Sequence, residues 1–518
     1  MTPRARTTLP ILNLEAAAAP DARAAAVASA GSVRIGLITL GCDKNTVDSE
    51  RLLARLAAAG AEVEASARDA DVIVVNTCGF IDVAKEESID ALLEAIRLKQ
   101  QGRARAVVAV GCLVQRYQTQ LAEELPEVDL FLGLTEVERL VPVLRERGLL
   151  AAAAPNMQRP LLRLSKSGSH TSYLKVSEGC DHKCAFCAIP LMRGLHRSVP
   201  IEQLVAEARE LEARGVVELN LISQDTTWYG RDLIRGVVPV ADAAFVGRPF
   251  RGMPGIAESA LVPPVRGAKP ANPARHGLLP ELLTELLRNT AIPWLRLFYL
   301  YPSGVSRELV ELIAREPRIV RYLDTPIQHG SDRVLERMRR PERYHTIVER
   351  TGWLREAIPE LALRTTVIVG FPGETDDDFH RLLDLLEEVR FDYLGAFVYS
   401  VEEDTPAATM PDQVPDSLKR ERLEELLDRQ RSITASQNER RLGTVVPVLI
   451  DRLIRPDSGL ATAGTGRGAI GRGAFQAAEI DGVVHIAEAI GLKVGQFAQV
   501  RLLETIDHDL VGEVAEGL

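Results

Sequence analysis

Tyr173-Leu-Lys-Val-Ser177-Glu-Gly-Cys180-Asp-His182-Lys-Cys184-Ala-Phe186-Cys187 is an apolar, strand-like run that empties into a short loop. The loop carries three cysteines in a C-x3-C-x2-C spacing. Strand-like stretches recur downstream at Val216–Ser223, Trp294–Tyr299, Ile319–Asp324, Arg364–Val369 and Tyr393–Tyr399. Helical stretches separate several of them, among them Ile201–Arg214, Leu279–Leu287 and Thr346–Ala357. With Tyr173–Ser177 this makes six β/α units. That pattern predicts an α/β chain with a partial (β/α)6 barrel and functional groups at the C-terminal ends of its strands. The cysteine loop sits at one such end.

Upstream, the periodicity predicts another α/β unit. Val33–Leu40 reads as a strand ending at Gly41-Cys42, and Asp71–Val75 as a strand ending at Asn76-Thr77-Cys78-Gly79. Ala106–Val110 reads as a third, ending at Gly111-Cys112. Helices are expected over Asp48–Ala59 and Ala84–Lys99. The three cysteines are 36 and 34 residues apart, about one βαβ unit each. Parallel strands joined by helices bring their C-terminal ends to one edge, where open α/β sheets bind ligands. Cys42, Cys78 and Cys112 should therefore converge. Three buried cysteines packing as small hydrophobes are the alternative; a glycine beside each favours a three-thiolate site.

Downstream, residues 232–275 carry seven prolines and little periodicity, and read as a surface insertion. Residues 412–442 read as a charged helix leading to a C-terminal unit with short β segments at Val445–Leu453, Val483–Ile486 and Ala498–Leu503. A Gly/Arg run, Gly464 to Gly473, lies between the first two, and a small β-barrel is expected. From 445 to 518 there are six Lys and Arg against ten Asp and Glu, a net of −4.

The 518 residues suffice for two to four domains, with 46% apolar and 26% charged residues, as in an ordinary globular protein. A net charge of −10 argues against broad, sequence-blind binding to nucleic acid. All six cysteines lie within the first 187 residues, unlike the disulfide framework of a short secreted chain. Residues 1–32 are Ala-rich, but Glu15, Pro20, Asp21 and Arg23 interrupt any export-signal core, so a disordered tail is expected. No uncharged apolar run reaches the length of about 18 residues that a membrane span needs. These features point to the reducing cytoplasm.

Cys180, Cys184 and Cys187 can hold three corners of a cubane 4Fe-4S cluster and leave the fourth iron open. An open iron suits chelation of the amino and carboxyl groups of S-adenosylmethionine, whose reductive cleavage yields a 5′-deoxyadenosyl radical. A zinc knuckle would need His182 as its fourth ligand, and a His between the first two cysteines is poorly placed to share their metal. An electron-transfer cluster would usually want a fourth cysteine, and none follows Cys187.

The C-x3-C-x2-C loop resembles that of the radical S-adenosylmethionine (radical SAM) superfamily. Phe186 occupies the position of an aromatic that packs near adenine. The stretch Thr366-Val-Ile368-Val-Gly370-Phe-Pro-Gly373-Glu374 resembles the family's segment beside adenine and ribose, and Ser223-Gln224-Asp225 a strand end lining the same pocket. The three-cysteine unit, the barrel and the terminal β-barrel together resemble the methylthiotransferases. That resemblance implies a methylthiotransferase domain over 33–150, a radical SAM barrel over 165–430 with the insertion at 232–275, and a TRAM-like β-barrel over 443–518. It also implies a second 4Fe-4S cluster on Cys42, Cys78 and Cys112, with an open iron carrying the sulfur to be inserted. S-adenosylmethionine would act both as methyl donor and as radical source.

Leu40-Gly-Cys42-Asp-Lys-Asn45, Asn76-Thr-Cys78-Gly-Phe-Ile81, Ser177-Glu-Gly-Cys180-Asp-His182 and Met192-Arg-Gly194 resemble the protein-modifying branch of that family. Tyr322-Leu-Asp-Thr-Pro-Ile-Gln-His-Gly330 fits both that branch and the tRNA-modifying one. An acidic terminal barrel fits a basic ribosomal protein better than RNA. The implied reaction is methylthiolation of the β-carbon of an aspartate in ribosomal protein twelve of the small subunit. A tRNA adenosine methylthiotransferase and a noncatalytic iron–sulfur protein of the ribosome are the alternatives. A monomer is expected, served by a reductant protein such as flavodoxin or ferredoxin. Asp43 stands where the family often has Pro, and Asp404, in Glu403-Asp-Thr-Pro406, where Gly is usual.

Overall fold

The computed structural model describes residues 33–63, 66–150, 162–164, 169–234, 277–454 and 468–515. The expected tail at 1–32 and all but the first three residues of the 232–275 insertion lie outside the described residues.

The first sheet is wholly parallel, in the order β2-β1-β3-β4-β5. Its strands are β1 (Arg34–Thr39), β2 (Glu62–Val63), β3 (Val72–Thr77), β4 (Ala106–Gly111) and β5 (Leu130–Gly133). Every residue of β3 and β4 is buried, as befits central strands covered by helices on both faces. Helices α1 (Asp43–Ala58), α2 (Asp82–Gln100) and α3 (Cys112–Glu124) follow β1, β3 and β4. The chain order reverses between β1 and β3, which makes their C-terminal ends the switch point where such sheets take ligands. Edge strands β2 and β5 were not legible in the sequence; β2 has two residues and β5 four, too few for a periodic signal.

The second sheet is also parallel, in the order β13-β12-β11-β10-β9-β6. It comprises β6 (Thr171–Lys175), β9 (Glu218–Ile222), β10 (Trp294–Leu297), β11 (Ile319–Asp324), β12 (Ala362–Val369) and β13 (Tyr393–Val398). A two-stranded antiparallel ribbon, β7 (Ser177–Glu178) with β8 (Arg197–Ser198), brackets the cysteine loop after β6. Alternation sorts the strand residues. Leu363, Val367 and Val369 pack outward into the core shared with the helices, whereas Arg364, Thr366 and Ile368 are only half-buried.

The third unit is a closed five-stranded barrel, β14-β15-β16-β18-β17. Its strands are β14 (Val445–Leu453), β15 (Ala469–Gly473), β16 (Val484–Ile486), β17 (Phe497–Ile506) and β18 (Asp509–Val514). The end of the Gly/Arg run is thus a strand. Gly471 suits it because an added Cβ would stand 2.4 Å from the Leu449 carbonyl oxygen. The charged helix spans Asp416–Glu439, shorter than 412–442.

This small barrel packs on the second sheet. Val448, Phe475, Val484 and Val500 share one apolar core with Trp294, Phe298, Tyr322 and Tyr393. Buried Glu218 welds the two units, accepting from Arg296 Nε at 2.8 Å and Arg472 Nη2 at 2.6 Å. Arg472 also donates to Asp451 at 2.7 Å, and Asp451 lies 2.7 Å from His170 Nε2. On the other side, buried Arg163 joins α1 to the second unit through Glu50, Glu207 at 2.9 Å and Ser172 at 3.0 Å.

Candidate functional site

Cys42 caps the start of α1, Cys78 directly follows β3, and Cys112 opens α3. Gly41 and Gly111 make this convergence possible. Gly41 has φ +89°, and a Cβ there would lie 2.7 Å from Cys78 Cβ and 2.8 Å from its Sγ. Gly111 has φ +105°, and a Cβ would lie 2.5 Å from both Asn76 Oδ1 and the Thr77 carbonyl oxygen. Both positions demand glycine twice over, by conformation and by space. Cys42 is exposed, while Cys78 and Cys112 are buried.

The loop of Cys180, Cys184 and Cys187 is braced from outside. Cys180 N donates to the Gly194 carbonyl at 3.0 Å, Ala185 N to Met338 O at 3.0 Å, and Ala407 N to Ala185 O at 2.9 Å. None of the six cysteines is paired in a disulfide. Burial, reinforced by neighbouring thiols, pushes the Cys78 thiol up to about 11 and the Cys187 thiol to about 12. Burial likewise raises Cys112 to about 12 and pushes Cys180 well up. Without metal these thiols hold their protons at neutral pH, so loading must release them. Among the described residues no three His, Cys, Asp or Glu side chains stand close enough to hold a single ion. A cubane seats each thiolate on a different iron, so it needs a wider set than one ion does.

The two cysteine groups are neighbours. Cys112 shares an apolar cluster with Ala188 and Met192, just after Cys187. A polar chain runs between them as well. Cys112 Sγ–H donates to Asn45 Oδ1 at 3.7 Å, and Asn45 Nδ2 donates to the carbonyls of Leu40 at 2.8 Å and Thr77 at 3.1 Å. Arg193 donates to Asn45, to Glu178 at 2.8 Å and to Asp48 at 3.1 Å. Glu178 also accepts from Lys175 at 2.6 Å and from Gln224 Nε2 at 3.4 Å. Burial alone would raise the Glu178 carboxyl, but Arg193 and Lys175 outweigh it and hold it at about 2. Asn45, Glu178 and Arg193 had been legible only as members of motifs; their joint role required the fold.

Of the expected cofactor contacts, Gln224 follows the end of β9, and its Oε1 is buried without a hydrogen-bond partner among the described residues. Phe186 packs with Ala185, Met338, Phe371 and Tyr399. Gly370 and Gly373 shape the turn after β12 with φ +73° and +79°. Added Cβ atoms there would strike Lys419 Cγ at 2.3 Å and the Arg337 guanidinium at 2.8 Å. Glu374 is fully buried and holds this turn, accepting from Gly370 N at 2.8 Å, Phe371 N at 3.2 Å and Arg422 at 2.8 Å. At the end of β10, Tyr299 adopts φ +56°, rare for a bulky residue, with the Lys44 ammonium 3.1 Å above its ring.

Three family models match this architecture in order: Uncharacterized protein family UPF0004 over residues 34–133, the Radical SAM superfamily over 174–386, and the TRAM domain over 442–515. The ribosomal protein uS12 methylthiotransferase RimO of Geobacter sulfurreducens is 41% identical over 488 residues, covering 93% of this chain and 98% of that relative. RimO of Anaeromyxobacter sp. (strain Fw109-5) is 42% identical over 494 residues, covering 93% of each. The chain belongs to the RimO family. It is therefore a radical SAM methylthiotransferase, a transferase that works with 4Fe-4S clusters and S-adenosylmethionine. A solved radical S-adenosylmethionine methyltransferase, TsrM from Kitasatospora setae, covers 73% of this RimO-family chain and 77% of its own. Its 15% identity and TM-score of 0.49 are too distant to bear on chemistry.

Proposed function

We propose that this chain methylthiolates the β-carbon of an aspartate in ribosomal protein uS12. In this reading Cys180, Cys184 and Cys187 hold the cluster that binds S-adenosylmethionine, and Cys42, Cys78 and Cys112 hold the second. The observation that carries it is the packing of Cys112 against the segment just after Cys187, which supports reading the two three-thiol sites as one functional centre. The relatives' name and the net −4 of residues 445–518, suited to a basic protein partner, support the substrate.

Held by these cysteines, the two clusters and S-adenosylmethionine would supply the radical chemistry and the sulfur that the reaction needs. The chain's own residues hold and orient. The orphaned Gln224 Oε1 fits as acceptor for an N–H of the cofactor's amino group. Phe186 supports the adenine, while Gly370, Gly373 and Glu374 shape the turn beside it. Asn45 and Arg193 fix the Cys42–Cys112 site relative to the Cys180 loop. The enzyme acts in the cytoplasm as a monomer, with a reductant such as flavodoxin or ferredoxin. Among the described residues no helix is long and apolar enough to cross a membrane.

Mass spectrometry of uS12 and of tRNA from a deletion strain tests the substrate. Loss of the methylthio mass from uS12 is expected; loss from tRNA alone overturns the reading, and intact modification of both points to a noncatalytic role. Anaerobic reconstitution should load about eight irons per chain, and about four when Cys180, Cys184 and Cys187 are Ala.

A further inference from the structure

A stack of planar side chains leans on the Cys180–Cys187 loop. His182 lies flat on Tyr301, with ring centroids 4.0 Å apart and planes 9° apart, and Trp228 covers its other side at 4.0 Å. His182 Nε2 is 2.7 Å from Asp225 Oδ2, and Asp225 Oδ1 accepts from Thr227 N at 2.9 Å. On the far side of Tyr301 sits the Arg340 guanidinium, 3.8 Å from the ring centroid. Its Nη2 donates to the Pro326 carbonyl at 2.9 Å, and its Nη1 reaches Cys184 Sγ at 3.9 Å. Behind it Glu342 comes within 3.2 Å of Nε, and both side chains are only 4% exposed. Neither carboxylate oxygen of Glu342 has a hydrogen-bond partner among the described residues. The pair is thus a charge contact without the geometry of a bidentate bridge.

A buried cation is costly unless something nearby needs its charge. Three thiolates on iron concentrate negative charge, and one-electron reduction adds more. Charges and donors near the sulfurs are a main determinant of such a potential. We propose that Arg340 is a positioning residue that raises the reduction potential of the cluster through Cys184, held in place by the Tyr301–His182 stack and moderated by Glu342. This rests on the reading that Cys184 is a cluster ligand.

The test uses the full chain with Cys42, Cys78 and Cys112 changed to Ala, so that one cluster remains, followed by redox titration monitored by electron paramagnetic resonance. Arg340→Gln should lower the midpoint by about 59 mV, a tenfold drop in the reduced-to-oxidised ratio at fixed potential. Arg340→Lys should recover part of the shift. Glu342→Gln should move the midpoint the opposite way, which general loosening of the loop would not do. If Arg340→Gln fails to load, Tyr301→Leu takes its place, with a downward shift expected. An unchanged midpoint in a loaded variant, or shifts of the same sign for Arg340→Gln and Glu342→Gln, overturns the proposal. Failure of the parent chain to take up about four irons would instead overturn the ligand reading.

Discussion

Gly111 is where one methyl group should matter most. Its left-handed conformation and the 2.5 Å approach to Asn76 and Thr77 leave no room for a side chain immediately before Cys112. Gly111→Ala should cost on the order of 1–3 kcal/mol in thermal or denaturant unfolding. It should also lower the iron content toward that of a single cluster, since the strain falls on the Cys42–Cys78–Cys112 site. Unchanged stability and iron content would contradict this account. Asp404, where the family usually has Gly, has φ +61°. The departure seen in the sequence is thus a left-handed position that Asp tolerates better than most residues. Asp43, the other departure, lies 3.2 Å from Lys44 Nζ and accepts from Tyr299 OH at 3.5 Å, so it belongs to the contact between the first two units.

Among the elements, the turn after β12 shows how a recognisable motif can hide its own mechanics. Gly370 to Glu374 reads as a cofactor segment, yet the Glu374 carboxylate closes the turn on its own backbone and on Arg422. Glu374→Gln removes one of the two carboxylates that Arg422 pairs with, leaving Asp376 at 2.6 Å. A loss of about 1–3 kcal/mol in stability is expected, as for a lost hydrogen bond to a buried charged group. Weaker S-adenosylmethionine binding by the reconstituted enzyme should accompany it, read by equilibrium dialysis. Unaltered binding would separate the turn from the cofactor. The strands β1, β3 and β4 and all six of the large sheet were legible from their apolar runs, to within a few residues. β15 was not, because Gly471 and Gly473 carry no strand signal; the place of Gly471 is set by the close approach of β14 and that of Gly473 by the Phe475 ring. β18, six residues holding Gly512 and two acids, was hidden for a similar reason.

At the scale of the molecule, Glu218 ties the terminal barrel to the large sheet. Burial would raise its carboxyl, but Arg472 and Arg296 outweigh that and hold it at about 2, against an ordinary value of 4.5. A depressed pKa contributes stability that is complete above the unfolded value and is lost as pH falls. The weld should therefore weaken between about pH 4.5 and pH 2. Glu178, also held at about 2, shares the direction at the junction of the first two units. Acid unfolding followed by circular dichroism should show this loss, with a shallower pH dependence in Glu218→Gln. An identical acid transition in that variant would rule out the weld as its cause.

The cysteines, their spacings and the strand periodicities specified the reaction class and the three-unit order, because ligand type and alternation are local properties carried by consecutive residues. The tertiary structure alone decided how the units meet. Cys112 lies against Ala188 and Met192, Arg193 joins Asn45 to Glu178, and Glu218 is shared by Arg296 and Arg472. These contacts pair residues far apart in the chain, and a lone buried Arg or Glu has no sequence signature until its opposite charge is in place.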